Sequence, residues 1–175
     1  MTALTVLATG PLATVQDHGR PGYADLGVPG SGGADRGALA LANRLVGNAE
    51  WAAVVETTMG GFRARVDADA LVAVTGADTV VRHNGVPAGL AAALVLRAGD
   101  ELALDTPGWG LRNYIAVRGG IDVEPVLGSR STDTLSGLGP PPLGTDDRLP
   151  VGHAAGDWPT ALSAPADREH PRVVV

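Results

Sequence analysis

The sequence predicts a mainly β domain with one or two helices. Short runs rich in Val, Leu, Thr and Ala follow one another closely, and only one segment has a clear helical period. The 25 Gly and 13 Pro among 175 residues supply many turns. Closely spaced short strands are typical of a β-barrel or a β-sandwich rather than of a sheet built from βαβ units.

The first two strands are expected at residues 2–8 and 13–17, separated by the turn-forming pair Gly10-Pro11. A glycine-rich loop follows at residues 19–33. The chain therefore places much turn-forming and polar material before its helical segment.

The helix is expected at residues 35–46, with Asp35 as its N-cap and Gly47 after its end. Arg36 and Asn43 lie about 20° apart on one face, which is expected to present a polar stripe to solvent. The opposite face carries the apolar residues Ala38, Leu41, Ala42 and Leu45.

Strand-like periodicity continues after the helix, divided by turn residues. Asn84-Gly85 and Ala98-Gly99-Asp100 are expected to form hairpin turns. The further strands are predicted at residues 53–58, 62–66, 71–75, 79–83, 93–97, 101–105 and 112–117.

Turn residues dominate the chain after Arg118. The segment up to residue 152 is predicted to form an ordered functional loop or a crossover, because long structureless loops are uncommon in compact domains. A first domain is therefore expected at residues 1–152. Residues 153–175 are expected to be a linker and the start of a truncated second domain, with a strand beginning in the final Pro-Arg-Val-Val-Val.

Composition argues against several classes of function. The net charge of −6 argues against a nucleic-acid-binding protein, which needs a basic face. The chain has neither Cys nor Lys, so it offers no thiolate nucleophile, Walker lysine or biotinyl-lysine. The N-terminus lacks the pattern of a secretory signal, and no segment approaches the ~20 apolar residues of a membrane span. A soluble, cytoplasmic protein is expected.

The segment at residues 28–36, Val-Pro-Gly-Ser-Gly-Gly-Ala-Asp-Arg, leads directly into the predicted helix. Backbone N–H groups of such a loop can bind an anion, and Arg20 and Arg36 can add charge-assisted hydrogen bonds. The segment lacks the Gly-Lys-Ser/Thr of a P-loop. A purely structural turn is the alternative interpretation.

Two other polar clusters are candidates for a site. Gln16 and Asp17 end the second strand, where side chains can face a cleft, although strand-end capping also explains them. Residues 128–132, Gly-Ser-Arg-Ser-Thr, offer one Arg and three hydroxyls that suit a carboxylate or a phosphate, or form an ordinary polar loop. The His residues lack ligand spacing, so no metal site is predicted.

Four segments, in order, resemble a known family. They are residues 14–48, residues 54–61 (Val-Val-Glu-Thr-Thr-Met-Gly-Gly), residues 72–78 and residues 112–139. The pattern is similar to that of the carboxyltransferase-like family, whose members are called the C-type subunit of 5-oxoprolinase, KipA or allophanate hydrolase subunit 2. The resemblance spans roughly residues 2–152 and implies a cyclophilin-like β-barrel.

The resemblance also implies a hydrolase component in a hetero-oligomer. Family members act with a B-type (KipI-like) protein and an A-type protein in an ATP-dependent 5-oxoprolinase, which opens 5-oxoproline to glutamate. The alternatives are a carboxyltransferase component of a biotin-dependent urea carboxylase or allophanate-pathway enzyme, and a non-catalytic KipA-type regulatory protein. Because family members are commonly much longer, the isolated chain is expected to be inactive, and ATP need not contact it.

The resulting hypothesis is a site for an anionic amide or its phosphorylated intermediate on the rim of a cleft. Opening a lactam with ATP develops oxyanion and acyl-phosphate charge, which hydrogen-bond donors stabilise. The candidate catalytic residues are Gln16, Asp17 and Arg20. The candidate substrate-binding residues are Arg36, Asn43, Ser129, Arg130, Ser131 and Thr132.

Overall fold

Two antiparallel β-sheets and one α-helix make up the described part of the computed structural model, which comprises residues 2–154 and 157–164. The helix, α1, is Arg36–Leu45, and a 3-10 turn lies at Ala24–Leu26. No helix among these residues is long and apolar enough to cross a membrane. The strands are β1 (Ala3–Thr9), β2 (Leu12–Gln16), β3 (Val54–Thr58), β4 (Phe62–Val66), β5 (Ala70–Asp78), β6 (Val81–His83), β7 (Val86–Ala88), β8 (Ala93–Leu96), β9 (Glu101–Leu104), β10 (Trp109–Val117) and β11 (Arg148–Pro150).

The strands form a six-stranded sheet in the order β11-β1-β4-β9-β6-β7 and a five-stranded sheet in the order β2-β3-β10-β5-β8. Every neighbouring pair is antiparallel. The predicted mainly β class with one helix is therefore confirmed. Among the described residues, the hydrogen-bonded ladders form two packed sheets and do not close into a single barrel.

The five-stranded sheet is the central layer and is covered on both faces. One face packs on the six-stranded sheet around a core that includes Val15, Val55, Phe62, Val74 and Ile115. The other face packs against α1 through Leu39, Ala42, Leu45, Leu71, Ala73 and Tyr114. A strand buried on both faces needs consecutive apolar residues, as β5 has, whereas β4 alternates buried and exposed positions because one of its faces meets solvent.

The predicted strands are present, with ends within three residues of those expected. The strands β7 and β11 were not predicted, and β11 lies inside the segment expected to be an ordered loop or crossover. The turn at Ala98-Gly99-Asp100 is not a hairpin, because β8 and β9 belong to different sheets. Part of the predicted linker, residues 162–164, pairs with the sheet edge. The strand expected at the C-terminus lies outside the described residues.

The N-terminus of α1 is capped as predicted. The Asp35 carboxylate accepts a hydrogen bond from the Ala38 N–H at 2.9 Å. The predicted polar stripe is wrong for Asn43, which is buried. Its Nδ2 donates to the carbonyls of Glu50 and Ala52 at 3.2 and 2.8 Å, because the chain folds back beneath the helix after its end. Asn43 thus satisfies buried backbone acceptors instead of meeting solvent.

Candidate functional site

The carboxylate of Asp17, just past the end of β2, joins two loops that are distant in sequence. Its Oδ1 accepts hydrogen bonds from the hydroxyls of Ser129 and Ser131, both at 2.6 Å, and from the Gly19 N–H at 2.7 Å. Its Oδ2 accepts from the Arg130 N–H at 2.7 Å. Asp17 is buried, so this full set of donors offsets the loss of hydration of the charged group.

Arg20 crosses the same junction and is only 1% exposed. Its guanidinium donates to the carbonyls of Val126 and Ser131 at 3.3 and 2.5 Å, and to the Ser31 hydroxyl at 2.7 Å. The Ser31 hydroxyl donates in turn to Asp133 Oδ2 at 2.9 Å. No carboxylate in the described part of the chain forms a direct ion pair with Arg20. The negative charge that balances it is on Asp133, and the Ser31 hydroxyl links the two side chains.

Asp133 is kept ionised by hydrogen bonds within its own loop. The Ser136 side chain, the backbone N–H groups of Leu135 and Ser136, and the Ser31 hydroxyl lower the pKa of Asp133 to about 2. A fixed negative charge therefore lies close to the buried guanidinium of Arg20 at neutral pH.

We call these contacts between residues 16–31 and residues 126–133 the loop lock. Gln16 and Thr132 complete it: Gln16 Nε2 donates to the Thr132 carbonyl at 3.1 Å, and the Thr132 N–H donates to the Val15 carbonyl at 2.8 Å. Gln16 Oε1 and Thr132 Oγ1 are buried and have no hydrogen-bond partner among the described residues. His18 Nε2, in the same segment as Gln16, is likewise buried without a partner among the described residues. The two segments of the lock therefore leave three buried polar atoms unused.

Two glycines allow the backbones of the lock to approach closely. Gly19 has a φ of 83°, and a Cβ there would lie 2.2 Å from the Gly30 carbonyl oxygen. Gly139 has a φ of 78°, and a Cβ there would lie 2.1 Å from the Ser131 carbonyl oxygen. A side chain at either position would push the two loops apart.

The glycine-rich loop uses its N–H groups inside the protein. The Ala34 N–H donates to Glu56 Oε2 at 2.9 Å, and the Gly33 N–H donates to the Asp17 carbonyl at 2.9 Å. The first turn of α1 is capped by Asp35. Because these N–H groups already have partners within the protein, the arrangement favours a structural turn over a binding site for an external anion.

A second buried cluster, beneath the start of α1, was not predicted from the sequence. Glu56 on β3 accepts from the Arg112 guanidinium at 2.5 Å, and the Tyr114 hydroxyl accepts from the Asp35 N–H at 2.6 Å. Burial raises the pKa of Tyr114 well above its ordinary value, so the hydroxyl stays protonated. The available signal was a single carboxylate inside the otherwise apolar start of β3, Val54-Val55-Glu56.

The lock brings together most of the predicted site residues, namely Gln16, Asp17, Arg20, Ser129, Arg130, Ser131 and Thr132. Arg130 joins it through its backbone N–H, while its guanidinium binds the Val123 carbonyl and the Asp122 carboxylate, both at 2.7 Å. Arg36 and Asn43 lie outside the lock. Arg36 is exposed in the first turn of α1, and Asn43 is buried near the end of the helix.

An open groove of about 340 Å³ lies beside the lock. Its lining residues are Thr132, Asp133, Thr134, Gly137, Gly139, Pro140, Pro141 and Pro142. A volume of this size suits a small molecule, and the three consecutive prolines give one wall an apolar surface. Among residues 2–154 and 157–164, no cluster of three or more His, Asp or Glu side chains is placed to hold a metal ion.

Sequence comparison finds relatives of two kinds. A family model for the carboxyltransferase domain, subdomain A and B, matches residues 26–174. The C subunit of the 5-oxoprolinase of Escherichia coli (strain K12) is 40% identical over 157 residues, covering 88% of this chain and 51% of that protein. The urea amidolyase of Lachancea kluyveri is 39% identical over 138 residues, covering 78% of this chain and 8% of that protein. The chain thus spans about half the length of the 5-oxoprolinase protein.

Solved structures have the same fold. A crystal structure of TTHA0988 superposes with a TM-score of 0.85 at 32% identity, covering 93% of this chain and 61% of that chain. The K. lactis urea amidolyase superposes with a TM-score of 0.84 at 33% identity, covering 93% of this chain and 10% of that chain.

Proposed function

Because the chain belongs to the family of carboxyltransferase domains with subdomains A and B, we propose that it acts as the C-type subunit of an ATP-dependent 5-oxoprolinase. The 40% identity to the C subunit of the Escherichia coli enzyme, over 88% of this chain, is the observation that supports this most strongly. In this proposal the chain works in the cytoplasm with an A-type and a B-type (KipI-like) partner protein. The complex hydrolyses 5-oxoproline to glutamate.

The substrate is a lactam that carries a carboxylate, so the site needs cationic groups that reach solvent. Arg36 is exposed, and the half-buried Arg112 reaches the same loop through Glu56, which accepts from the Ala34 N–H. We assign the anionic group of the substrate to this rim. Asp17, whose oxygens already accept four hydrogen bonds, is assigned a positioning role in holding the loops.

The buried members of the lock support a positioning role for the other candidates as well. Arg20 is fully engaged with backbone carbonyls and the Ser31 hydroxyl. Gln16 Oε1, His18 Nε2 and Thr132 Oγ1 are the buried polar atoms of the lock that remain without partners in the described residues. We therefore expect substrate to meet the outer surface of the lock, and the residues within it to fix the shape of that surface.

The residues of the glycine-rich loop do not fit a phosphate chain. The N–H groups of Gly19 and Ala34 are already bound to carboxylates, and the chain has no Lys to act as a Walker lysine. We therefore assign ATP to a partner protein and derive no ATP-dependent step through this loop.

A second candidate function is the carboxyltransferase component of a biotin-dependent urea carboxylase or allophanate-pathway enzyme. The similarity to urea amidolyases in both sequence and structure supports it. Since this chain has no Lys, the biotin must be carried by a partner or by another region of the protein. The two candidates differ in the reaction that the partner proteins drive.

Reconstitution tests both candidates. The chain is mixed with the A-type and B-type proteins of its own source, and glutamate release from 5-oxoproline and ATP is measured. The Escherichia coli relative, tested with its own partners, is the positive control. Glutamate release that requires this chain is the expected result. A stable complex without glutamate release, together with biotin-dependent carboxylation of urea by a mixture that includes a biotin carboxylase, would replace the first candidate by the second.

A further inference from the structure

The face of the five-stranded sheet that packs on α1 carries a row of polar side chains. Glu56 lies opposite Thr14 of β2 and Tyr114 of β10, and Tyr114 lies opposite Thr75 of β5. All four residues are buried. Side chains of directly opposite residues lie on the same face of a sheet. A polar row therefore crosses four strands beneath the start of α1.

The next row along β3 contains a hydroxyl that the protein does not use. Thr58 lies two residues after Glu56, so its side chain is on the same face, and Arg112 of β10 lies directly opposite it. Thr58 Oγ1 is buried and has no hydrogen-bond partner among the described residues. Thr58 as a whole is partly exposed, so this hydroxyl lies close to the surface. An unpaired hydroxyl in this position can bind a ligand that supplies the missing partner.

The guanidinium of Arg112 has unused donors beside this hydroxyl. One of its nitrogens, Nη1, donates to Glu56 Oε1 at 2.5 Å, and the guanidinium makes no other hydrogen bond within the described part of the chain. The Arg112 side chain is 32% exposed, whereas that of Glu56 is 3% exposed. The buried carboxylate therefore holds the guanidinium on the sheet and leaves most of its five N–H groups available.

The backbone next to Thr58 is in an uncommon conformation. Met59 has a φ of 61°, in the left-handed region that residues with a side chain rarely adopt, and its N–H donates to the Leu111 carbonyl at 2.9 Å. Backbone strain of this kind is concentrated at functional sites. Met59 and Leu111 are 43% and 48% exposed, and they are the chain neighbours of Thr58 and Arg112. The two donors therefore lie beside apolar surface that suits the methylene groups of a small ring.

We propose that Arg112 and Thr58 bind the carboxylate of the substrate and so select an acidic lactam over a neutral one. This inference rests on the proposed function. One carboxylate oxygen accepts from the guanidinium and the other accepts from the Thr58 hydroxyl, whereas a lactam carbonyl offers one uncharged oxygen. The exposed Arg36 attracts the anion to this rim, and the Arg112–Thr58 pair then holds it.

Ligand binding to a pair of threonine variants tests the proposal. The probes are 5-oxoproline and pyrrolidinone, which is the same lactam ring without the carboxylate, titrated by calorimetry into the whole chain and into its reconstituted complex. Thr58→Val keeps the shape of the side chain and removes the hydroxyl. We expect it to weaken 5-oxoproline binding about tenfold and to leave pyrrolidinone binding unchanged. The urea midpoint should not fall, because the hydroxyl has no partner in the described residues.

Thr57→Val is the matched control. Thr57 Oγ1 is also buried without a partner among the residues that the structure describes. Thr57 lies opposite Ala13, which belongs to the core between the two sheets, so its side chain is on the other face of the sheet from Thr58. Its removal should therefore leave the binding of both ligands unchanged.

Arg112→Gln tests the guanidinium, beside Arg44→Gln at an exposed arginine of α1 that also pairs with one carboxylate. We expect Arg112→Gln to weaken 5-oxoproline binding about tenfold or more and Arg44→Gln to leave it unchanged. If Arg112→Gln fails to fold because Glu56 loses its cation, Thr58→Val decides the question. In the active complex, Thr58→Val should raise KM for 5-oxoproline with little change in kcat, because the carboxylate is held equally before and during the reaction.

The results separate this inference from the proposed function. Glutamate release with the same KM for Thr58→Val and the unaltered complex would overturn the inference and leave the proposed function in place. Equal weakening of both ligands by Thr58→Val would also overturn it, because the hydroxyl would then bind the lactam carbonyl. So would a lack of 5-oxoproline binding at millimolar concentration by both the chain and the complex. Carboxylate-selective binding that Thr58→Val weakens, without glutamate release, would support the site and contradict the proposed function.

Discussion

Ser131 and Asp17 bind each other through two hydrogen bonds, one in each direction. The Ser131 hydroxyl donates to Asp17 Oδ1 at 2.6 Å and accepts from the Asp17 N–H at 2.9 Å. The two residues are 114 positions apart in the sequence and both are buried. This contact fixes the glycine-rich loop against the segment after β10. Since that loop leads into α1, the lock helps to position the exposed Arg36 in the first turn of the helix.

Replacing Asp17 by Asn should strongly destabilise the fold. The amide keeps the shape but loses the charge, and its NH2 group faces donors that need an acceptor. We expect the free energy of unfolding to fall by about 3 kcal/mol, measured by urea denaturation. Asp25→Asn, at an exposed position of the same loop, is the control and should stay within about 0.5 kcal/mol of the unaltered protein. A loss below about 1 kcal/mol for Asp17→Asn would show that the lock is not a major source of stability.

Replacing Arg20 by Lys should also destabilise the fold. An ammonium group is a compact charge and does not reproduce the planar guanidinium that reaches Val126, Ser31 and Ser131 together. The expected loss is about 2 kcal/mol in the free energy of unfolding. Arg44→Lys is the matched control, because Arg44 is exposed and a lysine keeps its pairing with Glu50. Equal stability of the two variants would contradict the role assigned to Arg20.

Removing the Tyr114 hydroxyl should loosen the start of α1. Tyr114→Phe leaves the Asp35 N–H without its acceptor. We expect the free energy of unfolding to fall by about 1.5 kcal/mol, with faster hydrogen exchange at the Asp35 amide. Tyr23→Phe, in the loop before α1, serves as the control. Unchanged exchange at Asp35 would mean that the hydroxyl does not hold this turn.

The free energy of unfolding should fall as the pH is lowered through the acid range. The pKa of Asp133 is lowered to about 2, first by the Ser136 side chain, and the pKa of Asp100 is lowered to about 2, first by the Asn84 side chain. A carboxyl pKa below its unfolded value of about 4 stabilises the fold above that value, and the contribution is lost as pH falls through about 2. The free energy of unfolding should therefore decrease between about pH 5 and about pH 2.

Asp133→Asn tests this assignment. Its free energy of unfolding should depend less steeply on pH between about 4 and about 2 than that of the unaltered protein, whereas Asp25→Asn should keep the original slope. Urea denaturation at several pH values gives the slopes. Identical slopes for Asp133→Asn and the unaltered protein would exclude Asp133 as a source of the acid sensitivity.

The elements with a strong period could be predicted from the sequence, and those without one could not. β5 begins with an apolar run, β10 ends in the buried run at residues 114–117, and α1 has a cap and a helical period, so all three could be predicted. β7 and β11 have three residues each, which is too short for an alternation to show. Asn43 turned inward because the chain after the helix brings carbonyls beneath it, a tertiary contact that helical period does not encode.

The sequence identified most residues of the candidate site but not the contacts that they make with one another. The sequence marked Asp17, Arg20 and Ser129–Ser131 as polar residues in turns, yet only the topology shows that they satisfy one another. Ser31 and Asp133 were missed because a hydroxyl bridge across 102 positions leaves no local pattern. Glu56 was missed because a single carboxylate does not interrupt the strand pattern of the β-prone run that contains it.

Arg36 provides the most direct test of the proposed function. It is exposed, and no hydrogen bond or ion pair within the described residues holds it, so its removal should leave the fold intact. The measurement is kcat/KM for 5-oxoproline in the reconstituted complex carrying Arg36→Ala, beside Arg44→Ala on the same helix. We predict a loss of about tenfold or more for Arg36→Ala and no change for Arg44→Ala. Equal kcat/KM for Arg36→Ala and the unaltered complex would contradict the assignment of the anionic substrate to this rim.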